Sequence, residues 1–146
     1  MGVGYNRGMH ESTKKTLEQV VEEAGKYPLE AFEFVRHGLN YAVHSIHGDT
    51  RNKTDRECHV SGQQLSCGLR DYAIFRYGIM ARTVLAHWDI TRTQDFGRIV
   101  YTMVENKLMQ KTDDDDLRDF DNVFDFVTAF DPPARPRSET IPVFRM

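Results

Sequence analysis

The chain has 146 residues, 40% hydrophobic and 11% aromatic, with a formal net charge of -3. That length suits one domain with a packed core, and the apolar content excludes a disordered chain. The mildly acidic balance favours neither nucleic acid nor an anionic membrane, and no run of about 18 apolar residues marks a membrane span.

Residues 1–11 are polar and Gly-rich, and they read as a loose arm. They lack the apolar core of a signal peptide, and Asn6 stands where myristoylation of Gly2 needs Ser or Thr. The single domain is expected over 12–130. Ser12 is placed to cap a first helix over 13–26, with Leu17, Val20, Val21 and Ala24 on one side. Gly25 and Pro28 break the chain. Pro28 suits the first turn of a second helix over 28–47, whose inner face carries Leu29, Phe32, Val35, Leu39, Ala42, Val43 and Ile46, and Gly48 stops it. Residues 48–57 read as a polar loop, and its Asn52-Lys-Thr54 sequon has no meaning in a reducing compartment.

Ser61-Gly-Gln-Gln64 is a capping box opening a third helix over 62–77, with Leu65, Leu69, Tyr72, Ala73 and Phe75 inward. After Gly78 a fourth helix runs to Trp88. Ile74 and Tyr77, and then Ile79, Met80, Val84, Leu85 and Trp88, spread apolar residues almost all round these two helices, which predicts central elements wrapped by neighbours. Thr91-Arg-Thr-Gln94 reads as the cap of a fifth helix over 92–106, whose stripe is Phe96, Ile99, Val100, Met103 and Val104. Leu108-Met109, the tip Asp113–Asp116, and Phe120, Phe124 and Phe126 alternating with Asp119, Asp121 and Asp125 then predict strand, charged tip and strand. The expected fold is mainly α, five helices ending in a winged-helix-like β-hairpin over 91–126. Residues 131–146, rich in Pro and Arg, read as an extended tail that Ile141, Val143 and Phe144 dock onto the body.

His59-Val-Ser-Gly-Gln-Gln-Leu65, Gly68-Leu-Arg70, Thr93-Gln-Asp-Phe-Gly97, Lys111-Thr112 through Asp119-Phe120 and Val123-Phe-Asp-Phe126 together resemble a small family of conserved hypothetical proteins known mainly from the planctomycete–verrucomicrobial group. The resemblance covers roughly residues 28–130. Asp89 departs from it, standing where glycine is expected after the Trp. The family has no established activity, so the resemblance implies no catalytic residue, cofactor or substrate.

The residues themselves offer three kinds of site. His44 and His47, at i and i+3, could share a metal, with Cys58, His59 and Cys67 completing the set if the loop folds back. No established metal spacing matches, and a solvated helix face explains these residues as well. Arg70, Arg76, Arg82 and Arg92 could form a basic patch for nucleic acid. The outer face of the fifth helix, Asp95, Arg98, Thr102 and Glu105, is charge-balanced to slightly acidic where a recognition helix presents Arg and Lys, and an acidic wing repels phosphate. Arg76 is expected to snorkel beside Gly78 or to pair with Asp95 or Asp119. No Gly-x-Ser-x-Gly elbow or dinucleotide fingerprint appears, so no catalytic residue and no cofactor is expected.

Charge distribution points to the third kind. Residues 113–131 hold 8 Asp and 1 Arg, a net of -7, against +2 for residues 1–112 and +2 for residues 132–146. The sequence thus predicts a non-catalytic module that binds a protein partner, a basic one, through Asp113, Asp114, Asp115 and Asp116. A winged-helix nucleic-acid regulator is the first alternative and a small metal-binding protein the second. Two cysteines make no disulfide framework, and the cytoplasm is the expected compartment. No feature fixes the oligomeric state.

Overall fold

The computed structural model describes residues 4–5, 15–54 and 56–130. It is mainly helical. The helices are α1 (Leu17–Ala24), α2 (Leu29–His47), α3 (Gly62–Tyr77), α4 (Ala81–His87), α5 (Thr93–Glu105) and α6 (Phe126–Phe130), with 3-10 turns at Arg56–Cys58, Gly78–Met80 and Leu117–Phe120. No helix among the described residues is long and apolar enough to cross a membrane.

Helix ends follow local chemistry. Thr16 caps α1, its hydroxyl accepting from the Gln19 N–H while the Gln19 side chain accepts from the Thr16 N–H. The cap expected at Ser12 and the tail expected to dock from residues 131–146 lie outside the described residues. The Ser61–Gln64 box opens α3 as predicted. For α5 the expected cap is corrected. Arg92 occupies the N-cap position, and Asp95 reaches back to accept from the Thr91 and Arg92 N–H groups.

The core lies between α2, α3 and α5, where Phe32, Val35, Leu65, Leu69, Phe96, Ile99, Val100 and Met103 are fully buried. Tyr27 donates to Asp95 at 2.5 Å, tying the α1–α2 connection to α5. Burial, and then Asp95, pushes the Tyr27 phenol well above its usual range. Asp95 was expected on the outer face of α5, but it is 3% exposed because this cap and the tyrosine hold it inward.

The winged hairpin does not form. β2 (Met109–Gln110) pairs antiparallel with β1 (Gly4–Tyr5), drawn from the expected loose arm, with Tyr5 opposite Met109. The segment expected as a second strand is a series of caps. Asp116 accepts from the Arg118 N–H and Asp119 from the Asp116 N–H, opening the 3-10 turn; Asn122 is left-handed at φ 48; Asp125 accepts from the Thr128 N–H in the first turn of α6. Short carboxylate side chains bond their own backbone and so favour turns over extended pairing. Phe120 and Phe126 are buried as expected, but from the 3-10 turn and the start of α6 and not from a strand.

Thr93 fixes this turn-rich segment to α5. Its hydroxyl donates to the Phe120 carbonyl at 2.6 Å and accepts from the Val123 N–H at 3.1 Å. Close approach does the rest: a Cβ on Gly97 would sit 2.9 Å from atoms of Phe120, and one on Gly62 would sit 2.7 Å from the Asp119 Cβ. The segment therefore rests on α5 and on the N-terminal end of α3.

Candidate interaction surface

The opposite end of α3 carries the most unusual surface among the described residues. Ile74 is 43% exposed, Phe75 71%, Ile79 81% and Met80 51%, all within seven positions. Gly78, left-handed at φ 55, ends α3, and the 3-10 turn leads directly into α4. Ile79 and Met80 stand on that bend, with no element packed over them among the described residues. The prediction that α3 and α4 are wrapped by neighbours is corrected here. Leu85 and Ala81 on α4, and Leu65, Leu69, Tyr72 and Ala73 on α3, are buried, whereas Phe75, predicted inward, is not.

The elbow sits on a firm base. Phe34 meets Tyr72, Tyr77 and Trp88 at centroid distances of 5.4, 6.5 and 5.7 Å, and Tyr41 meets Tyr72 at 5.4 Å and stacks on Phe75 at 5.8 Å. Rings in contact restrict one another's rotamers, so this surface is preorganised. Arg76 lies against the Tyr72 and Tyr77 rings and donates to the Tyr72 hydroxyl at 3.1 Å. It meets neither Asp95 nor Asp119. An aromatic platform, instead of a carboxylate, holds the guanidinium at the elbow.

The other predicted arginines go elsewhere. Arg70 pairs with Asp71 at 3.0 Å and covers the Phe124 ring. Six positions from Arg76 at 100° per residue, it projects from a different face of α3. Arg82 is exposed on α4, at the elbow. The three therefore do not form one patch.

The acidic run is a structured loop. Asp115 accepts from the Thr112 N–H at 2.9 Å, and Lys111 donates to the Thr112 carbonyl at 3.0 Å. Asp116 pairs with Arg118 at 2.9 Å, which holds its carboxyl below the usual range. Asp113 and Asp114 point to solvent, beside Leu117 at 44% exposure. The loop's field reaches inward: burial and the charges of Asp115, Asp116 and Asp119 push the Tyr101 phenol up to about 12.

The metal candidates do not converge. The His44 ring meets the Asn40 carbonyl at 2.9 Å, and the His47 ring meets the His59 carbonyl at 2.5 Å. Cys58 and Cys67 are free thiols, and no group of three or more His, Cys, Asp or Glu among the described residues is placed to hold a metal. Burial lowers the His59 pKa, and its Nδ1 is buried without a hydrogen-bond partner.

One open cleft of about 310 Å³ lies at the start of α5, lined by residues that include Arg92, Gln94, Asn122, Phe124 and Asp125. Gln94 and Asn122 bond each other across it at 3.3 Å.

Sequence reasoning named the elbow's residues and misplaced them. The signal was present as an excess of apolar side chains round α3 and α4. Their number alone does not say whether another part of the chain lies over them. Comparison with protein-family models, curated proteins and solved structures finds no match for the chain.

Proposed function

We propose that the protein is a non-catalytic protein–protein interaction module whose contact surface is the α3–α4 elbow. The observation that supports this is the cluster Ile74, Phe75, Ile79 and Met80, open to solvent on an aromatic base with Arg76 fixed beside it. Exposed apolar clusters of this kind mark interaction sites, and aromatic and Arg residues dominate hot spots. Burying a Phe or Ile side chain is worth about 1.5–3 kcal/mol, so two such anchors can offset much of the cost of association.

The elbow replaces the acidic segment as the primary contact. Three of that segment's carboxylates are already bonded to their own loop. The nucleic-acid reading loses support with the hairpin it needed, and the metal reading loses support because the His44 and His47 rings meet backbone carbonyls and its five candidates do not converge.

Membership of the planctomycete–verrucomicrobial family is likewise proposed. The residues of the resemblance do connected structural work: Ser61 and Gln64 cap α3, Thr93 and Gly97 seat Phe120, and Asp89 holds φ 66, where glycine is the natural residue.

Affinity capture from native extract tests the proposal. Wild-type protein should retain partners that Phe75→Ser/Ile79→Ser loses and Asp113→Ser/Asp114→Ser keeps. An identical set on all three baits would refute the elbow as the contact surface.

A further inference from the structure

Resting on that reading, we propose that a partner of the elbow is a second copy of this chain, which docks its Asp113–Leu117 loop there in a head-to-tail contact. The two surfaces are complementary in kind. The elbow offers Phe75, Ile79 and Met80 beside the positive charge of Arg76. The loop offers outward Asp113 and Asp114 beside Leu117, an exposed apolar side chain next to the densest negative charge in the sequence.

They cannot meet within one molecule. The loop's 3-10 turn rests on Gly62 at the start of α3, and the elbow is the end of the same helix. Thirteen residues at 1.5 Å each separate Gly62 from Phe75, about 20 Å of rigid helix. The complement must come from another molecule. A two-fold pairing of elbows would gather Arg76 of both copies into one interface, and residues 74–82 hold no Asp or Glu to balance them, which disfavours it. Because donor and acceptor surfaces differ, the contact is heterologous and builds short chains or a ring.

The test uses the whole chain. Sedimentation velocity at about 50 mM salt should show association that grows with protein concentration and weakens roughly tenfold or more in high salt. Phe75→Glu/Arg76→Glu should be monomeric, and so should Asp113→Lys/Asp114→Lys, each with an unchanged circular dichroism spectrum. Mixed, the two variants should form a 1:1 dimer and nothing larger, because each keeps one intact surface. The proposal is overturned if the loop variant still self-associates, which would indicate two-fold apolar pairing, or if the mixture stays monomeric. Wild type that is monomeric at every concentration but binds phosphatidylglycerol vesicles through Phe75 would assign the elbow to a lipid surface and overturn it as well. Wild-type monomers with elbow-dependent capture from extract would end self-docking alone, whereas capture independent of the elbow would end the parent reading too.

Discussion

The two ends of α3 handle exposed side chains in opposite ways. At its start, the loop of residues 111–121 looks like an open field of charge, yet Asp115, Asp116 and Asp119 each accept a backbone N–H, and Phe120 is locked under Thr93 and Gly97. At its end, Phe75, Ile79 and Met80 have the composition of a core yet stand exposed to solvent. Half of the loop's aspartates are committed to folding, while Asp113 and Asp114 stay outward, and apolar side chains with the look of a core stand exposed at the elbow.

The largest expected effect breaks the loop end. Phe120→Ala removes a fully buried ring from between α5 and α3 and should cost about 3–5 kcal/mol, read as a lower urea midpoint. Asp95→Ala comes next. It removes the α5 cap and leaves the buried Tyr27 hydroxyl without its acceptor, a loss of about 1–3 kcal/mol. A double mutant with Tyr27→Phe should recover part of that loss.

His59 gives a smaller, pH-dependent effect near the acidic loop. Its folded pKa lies below the ordinary 6.5, mainly through burial, opposed by Asp115 and Asp114 and reinforced by His47. Below 6.5 the unfolded chain binds the proton more readily. Its contribution to stability is thus complete above 6.5 and is lost as pH falls toward the depressed folded value. Unfolding midpoints should decline over that window, and His59→Gln should flatten the decline.

Asp89→Gly should stabilise the fold by roughly 0.5–1 kcal/mol, because an L side chain at φ 66 is strained and glycine is not. No gain, or a loss, would mean that the Asp89 side chain has a stabilising role its backbone geometry does not reveal.

Much of the helical frame was legible in the sequence. Ser61 with Gln64, and Pro28 with Gly48, mark the ends of α3 and α2 through chemistry local to a few residues. The stripe Phe96, Ile99, Val100 and Met103 placed α5 against the core. The hairpin was misread because Asp and Phe in alternation fit a strand's period of two, while the deciding bonds, such as Thr93 to Phe120, span 27 positions. Pairing of Gly4–Tyr5 with Met109–Gln110 is longer-range still. The elbow's residues were counted correctly, but burial depends on which elements lie over them, and periodicity holds no such information.

The most direct measurement compares the unfolding of wild type with that of Phe75→Ser/Ile79→Ser in urea. Side chains reserved for a partner contribute little to the isolated fold, so the two midpoints should agree to within about 0.5 kcal/mol in stability. A loss of about 3 kcal/mol or more would place Phe75 and Ile79 in the protein's own core and contradict the elbow as a binding surface.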